Sequence, residues 1–176
     1  TYNEDCCDWS KRYEPIKNNR STNKMIDQLA IVDGDPRHPE AFRLLQASHK
    51  LLSELFPQDD IYALSLDELC EENVKFYVAI DNSKIIGCAA LSVNEGYAEL
   101  KSMFVDEKQR GQGVAQKLLD HIITQAKIKK LSYVKLETGL ELNAAVDLYK
   151  KNGFTFCDRF GAYSPNETSV YMEKCI

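Results

Sequence analysis

The sequence has no apolar run long enough to cross a bilayer, and no basic stretch followed by an apolar one near its start. The first lack excludes a helical membrane span, the second leaves no secretory signal to read, and the chain is expected in the cytoplasm. Its six cysteines (Cys6, Cys7, Cys70, Cys88, Cys157, Cys175) include no Cys-x-x-Cys pair, and no histidine cluster partners them, so no bound metal is expected. Basic residues are not in excess: 22 Lys and Arg face 27 Asp and Glu, a net charge of −5, which is not the footprint of a nucleic-acid binder. The densest basic group, Lys127, Lys129 and Lys130, falls where a helix should end and suits the helix dipole. Internal repeats and low-complexity segments are also missing.

What is present is one domain's worth of patterned chain. Residues 1–24 are polar and without a clear period, and read as a poorly ordered or peripherally docked extension; the patterned domain is expected over 25–176, starting at Met25. Leu29, Ile31 and Val32 suggest a short strand closed by Asp33-Gly34-Asp35-Pro36. From Pro39 to Leu55, Phe42, Leu44, Leu45, His49, Leu52 and Leu55 recur at helical spacing, with His49 read as a packed or rim residue. Two apolar runs, 75–80 and 84–91, flank Asp81-Asn82-Ser83 as a hairpin, and a third strand runs from Ala98 to Val105. Cys88 and Cys157 lie in strand-like runs, where a thiol behaves as a small hydrophobe.

The period then changes. Val114, Leu118, Leu119, Ile122, Ile123 and Ala126 fall on one face of a long helix, followed by a strand over 132–136. A helix from Glu141 to Asn152, ended by Asn152-Gly153, and strands over 154–160 and 169–173 complete the chain. The order β-α-β-β-β-α-β-α-β-β implies an α/β fold: a mixed sheet flanked by helices, with a parallel crossover through the long helix.

The most informative join lies between the strand 98–105 and the helix that follows. Gly111 and Gly113 stand at the helix start, where unpaired amides and the positive helix end make an anion site suited to a pyrophosphate; Arg110 adds a fixed charge. Val114-Ala115 after Gly113 is no P-loop, and Gln116 occupies the place of a dinucleotide fingerprint's third glycine. Alone, a Gly-x-Gly pair could equally be a turn that starts a helix.

Around that pair, the run Val105-Asp106-Glu107-Lys108-Gln109-Arg110-Gly111-Gln112-Gly113-Val114-Ala115 resembles the acetyl-coenzyme A loop of the GNAT superfamily of N-acetyltransferases, with its Arg/Gln-x-x-Gly-x-Gly/Ala pattern at Arg110, Gly113 and Ala115. A second signature follows at the expected distance, Ala145-x-x-Leu148-Tyr149-x-x-x-Gly153-Phe154. The resemblance covers roughly residues 26–175. It implies a mostly antiparallel sheet splayed around a cofactor cleft, with acetyl-CoA as co-substrate. The amides of Arg110, Gly111, Gln112, Gly113, Val114 and Ala115 would hold the pyrophosphate, and the backbone of Met103, Phe104 and Val105 would pair with the pantetheine arm. Leu142 stands where many members carry a cofactor-binding Asn. Asn143, one residue later, is the candidate left for that contact.

Acetyl transfer to an amine requires a proton to leave the ammonium, polarisation of the carbonyl, and a proton for the departing thiolate. An alkyl ammonium ionises near ~10.4, so a carboxylate or an ordered water must assist. Glu99 is the candidate base, and equally a strand glutamate paired with Lys101 two residues on. Tyr149 is the candidate acid, with a packed helix residue as the alternative. No Ser-His-Asp or Cys-His constellation is discernible, so direct transfer in a ternary complex is expected, with Cys88 a poor relay. Glu95, Glu99, Glu137 and Glu141 would suit a cationic amine, either of a small molecule or of a peptide. Tyr163 and residues 161–168 either shape the acceptor pocket or form an exposed hairpin tip. A non-catalytic acyl-CoA-binding module is the alternative function, and a monomer or homodimer the expected assembly.

Overall fold

A computed structural model describes residues 29–176, and the expectations for 1–24 and Met25 lie outside them. Ten elements follow in order: β1 (Ala30–Asp33), α1 (Pro39–Leu55), β2 (Val74–Asp81), β3 (Lys84–Val93), β4 (Tyr97–Val105), α2 (Val114–Ile128), β5 (Tyr133–Gly139), α3 (Asn143–Lys151), β6 (Thr155–Phe156) and β7 (Ser169–Cys175). Their order along one seven-stranded sheet is β1-β2-β3-β4-β5-β7-β6. Only β4 and β5 pair in parallel, because α2 carries the chain from the end of one back to the start of the other. The sheet is thus mixed and mostly antiparallel, as the resemblance implied.

Each helix has a local reason to form. Pro39 opens α1, the His38 side chain accepts from the Glu40 amide, and the chain leaves the helix at Phe56, just before Pro57. The Asn82–Ser83 turn, with both residues at positive φ (46° and 64°), matches the twist of a two-residue hairpin and fixes the β2–β3 register. Burial then sandwiches the sheet. Leu118, Leu119 and Ile122 of α2 are fully buried on one face, each worth roughly 1.5–3 kcal/mol of hydrophobic stabilisation. Ala41 and Leu44 of α1 cover the other face with Val78, Cys88 and Ala90. Cys88 is wholly buried, and desolvation pushes its thiol up to about 12, so it acts as a small hydrophobe.

The feature that matters for function is a fault in β4. Between the pairs Cys88–Phe104 and Ala90–Lys101 the register slips, so that Ser102 and Met103 stand opposite Ala89 alone. Ser102 sits at φ 51°, a left-handed conformation that costs a non-glycine residue about 1–3 kcal/mol. Pairing with β5 stops at Leu100–Leu136, while β5 goes on pairing with β7 as far as Gly139–Ser169. Beyond Leu100 the sheet therefore opens between β4 and β5.

One expectation needs correction. The strand expected over 154–160 is only Thr155–Phe156, with one further bond from the Cys157 amide to Tyr171 O. Phe160 instead turns into a cluster of rings with Tyr97, Tyr163 and Tyr171, at centroid distances of 5.4–5.9 Å, and this burial outweighs the residue's strand preference. On α1, the apolar stripe does not pack whole: Phe42 and Leu55 remain more than a third exposed. Phe42, His49 and Leu52 face an open cleft, while Leu45 both lines that cleft and packs against the core, so His49 is a rim residue.

Candidate active site

The open seam between β4 and β5 continues into a cleft of about 1170 Å3, bounded by α1, the α2 entrance and α3. At its mouth, Asp106 accepts from the Lys108 amide and from Arg43 of α1 (3.0 Å), which anchors the loop before the glycines. The hydrogen bond from Lys108 N chiefly, with Arg43 behind it, holds the Asp106 carboxyl below its ordinary value. Gly111 and Gly113 adopt φ of 76° and 80°, and a side chain added at either would project into open space. Arg110 N closes a short helical turn onto Glu107 O, but the amides from Gly111 to Gln116 find no acceptor among the described residues. That row of free N–H groups at the start of a 15-residue helix is a ready anion site. The Arg110 guanidinium stands 5.4 Å from the Phe104 ring centroid at the same mouth.

The strand edge offers a second kind of recognition. The Asp106 amide donates to Ile86 O on β3, so the alternation of a strand turns the backbone groups of Val105 and Met103 toward the open seam. The Phe104 and Val105 side chains are buried in the two cores, leaving backbone as what this edge presents. Such an edge can accept an extended, amide-bearing ligand as a further strand. Gly139, at the end of β5, makes room on the opposite wall for the Phe56 ring, whose Cζ lies 2.1 Å from where a Cβ would be.

Deeper in, Tyr149 lines the cleft and is 6% exposed. Burial, and then the charge of Glu137, push its phenol upward, so it stays protonated at neutral pH. Glu137 on β5 lines the same cleft and accepts from the Ser169 hydroxyl at 2.6 Å. Desolvation raises its carboxyl against the lowering effects of Ser169 and Lys101. Asn143, the first residue of α3, also lines the cleft, and its amide group donates to Glu141 O at 3.3 Å.

Other candidates lie elsewhere. Glu99 does not reach the large cleft; it lines a neighbouring cavity of about 410 Å3. There it accepts from the Tyr163 hydroxyl and pairs with Lys101 at 3.5 Å, while Lys101 donates to Tyr163 at 2.8 Å. The pairing with Lys101 foreseen from their i, i+2 spacing is thus present. Burial chiefly, with the nearby Glu99 charge, raises the Tyr163 phenol. Gln112 turns its side chain back to Lys108 O and does not line the cleft, and Glu95 lines neither cavity. Tyr163 belongs to the pocket wall rather than to an exposed tip. Glu137 had no distinct role among four acids in the sequence, and Ser169 and Tyr62 went unmarked as site residues, because only strand pairing and loop packing bring them to the site.

Free amides at a helix start, beside an unpaired strand edge and with a phenol and the Glu137 carboxyl deeper in the same cleft, form an arrangement that an acyl-coenzyme A-dependent acyltransferase could use. The acetyltransferase (GNAT) domain model matches residues 72–156. An IAA acetyltransferase of Azospirillum brasilense is 32% identical over 151 residues, 85% of this chain and 99% of that protein. The chain belongs to the GNAT family of N-acetyltransferases, and the reading as a non-catalytic module gives way to an enzyme. Among solved structures, a Klebsiella pneumoniae protein provisionally described as an acyl-CoA N-acyltransferase is 29% identical with a TM-score of 0.70, covering 84% of this chain and 97% of that one. A GNAT family acetyltransferase from Elizabethkingia anophelis, with acetyl-CoA bound, shares the fold at a TM-score of 0.62 and 24% identity, covering 85% and 99%. Among the described residues, no helix is long and apolar enough to cross a membrane.

Proposed function

We propose that this acetyltransferase moves the acetyl group of acetyl-CoA to a primary amine by direct attack within a ternary complex. The observation that carries this reading is the meeting, in one cleft, of the free amides of Gly111 and of residues 113–116 with the buried phenol of Tyr149. The loop amides and Arg110 bind the pyrophosphate, the exposed backbone of Met103 and Val105 holds the pantetheine arm, and Asn143 adds a contact to the cofactor. Tyr149 supplies the proton to the departing thiolate, a role that rests on the place of its phenol, neutral at pH 7, in the same cleft as the loop amides.

Glu99 takes the proton from the acceptor ammonium, with Tyr163 and Lys101 fixing its orientation. One observation favours a second reading: Glu137, not Glu99, lines the same cleft as Tyr149, and burial moves its carboxyl toward the basicity a general base needs. The test is release of free CoA thiol from acetyl-CoA with an amine present, in Glu99→Gln and in Glu137→Gln. The base is the residue whose loss lowers kcat by about 100-fold and removes the acidic limb of the pH profile. Equal, small losses in both would contradict each assignment.

A further inference from the structure

The 410 Å3 cavity beside the donor cleft carries a chemical signature of its own. The two spaces meet: Ile61, Tyr62, Ala63, Leu64 and Lys101 line both. One wall of the smaller cavity is apolar (Ile61, Ala63, Leu64), and another is aromatic, with Tyr62 and Tyr163 edge to face at a centroid distance of 4.8 Å. Behind Tyr163 stand Phe160 and Tyr171, at 5.4 Å each, so the aromatic wall is packed in place. The Tyr62 hydroxyl donates to Ser164 O, and the Thr168 hydroxyl donates to Asp60 at 2.9 Å, tying the 58–70 segment to the 160–168 segment.

Its charge is lopsided. Glu68 and Glu99 line the cavity against one cation, Lys101, which is already met by Glu99 at 3.5 Å and by the Tyr163 oxygen at 2.8 Å. Glu137 and Asp60 in the adjoining cleft add further negative charge. Such a field draws an ammonium and repels a second carboxylate. The volume is near the lower end for ligand pockets, which fits one ring and a short chain better than an aminoglycoside or a long polyamine.

We propose that the acetyl acceptor is a compact primary arylalkylamine with no carboxylate beside its amine, its ring against Tyr62 and Tyr163 and its nitrogen turned to the Glu99 and Glu137 carboxylates. This rests on the acetyl-transfer reading above. In the step, the nitrogen lone pair bonds the thioester carbonyl carbon and the carbon–sulfur bond breaks, its electron pair leaving on sulfur. One ammonium proton passes to a carboxylate to free that lone pair, and the carboxylate later gives it to solvent. The thiolate takes the proton of a phenol, which is restored by the second proton that the nitrogen sheds as the amide forms. The products are the aryl-alkyl acetamide, CoA thiol and one proton, and no further reactant is needed.

The test is thiol release by the full chain with 2-phenylethylamine, L-phenylalanine, butylamine, spermidine and kanamycin, supplied separately. The expected result is a kcat/KM for 2-phenylethylamine at least about tenfold above each of the others, within the range that pocket complementarity supplies. L-phenylalanine has the same skeleton plus a carboxylate, so its deficit reads the charge term directly. In Glu99→Gln both rates should fall while the ratio between those two substrates shrinks, a change that a merely structural role for Glu99 would not produce. Preference for phenylalanine, spermidine or kanamycin would overturn the acceptor class and leave acetyl transfer standing. No turnover with any amine, while acetyl-CoA still raises the melting temperature, would overturn the acetyl-transfer reading and this acceptor with it.

Discussion

The proposed donor side and the proposed acceptor side of this molecule are built on different terms. The donor side is backbone: free amides at 111–116, the turned-out edge of Met103 and Val105, and a left-handed Ser102 that helps split the sheet. The acceptor side is side chains: Tyr62, Glu99, Lys101, Glu137, Tyr163 and Ser169 come from five separate segments and meet only after folding. A backbone site depends on glycine, a helix start and a strand edge, and so leaves a compact, contiguous trace. A side-chain site can be rewritten by single substitutions without disturbing the fold. The family domain model spans 72–156, which contains the whole 105–115 loop but omits the 58–70 and 160–168 segments that help wall the smaller cavity. The two sides should therefore respond differently to mutation.

The largest effect is expected from Gly113→Glu. Its side chain would enter open space at φ 80°, so the fold should survive at a cost of about 1–3 kcal/mol, while its charge occupies the anion site. Calorimetry should show CoA affinity falling by at least about 100-fold, equivalent to 2.7 kcal/mol or more. Retained affinity would mean that the backbone loop is not the donor site.

Tyr149→Phe comes next and sharpens the contrast. It should lower kcat by about 100-fold or more while leaving the acetyl-CoA dissociation constant within about twofold. Equal losses in both would place Tyr149 among the binding groups.

The smallest effect concerns Glu137 and stability. Its folded carboxyl is raised, so the folded state holds a proton more tightly than the unfolded one. Stability from this group is present below the ordinary glutamate range and is lost as pH rises through the folded value. Glu137→Gln removes that loss, so its melting temperature should exceed the wild type's at pH 7–8. The gap should close as pH falls toward 4; a gap that persists there would show a packing effect rather than linkage.

Much of the donor side was legible in the sequence. Gly111 and Gly113 before the 114–126 stripe, and Tyr149 four residues ahead of Gly153-Phe154, carried both the fold and the loop. The fault in β4 was not legible, because Lys101-Ser102-Met103 reads as ordinary strand and nothing local demands a left-handed serine. Strand propensity misled at 157–160, where Phe160 gains more from Tyr97, Tyr163 and Tyr171 than from a sheet edge. The cleft-facing side of α1 was not distinguished from its packed side, since a helical period cannot tell an apolar cleft wall from a packed face. Glu137 stood out only once Ser169, 32 residues later, was found against it on the paired strand.

The most direct test of direct transfer is an initial-rate analysis with acetyl-CoA and an accepted amine varied together, alongside the mass of the intact protein after acetyl-CoA alone. The account predicts intersecting double-reciprocal lines and an unmodified protein, because Cys88 is buried with its thiol pushed up to about 12. Parallel lines, or an acetylated protein formed before any amine is added, would contradict it by showing a covalent intermediate.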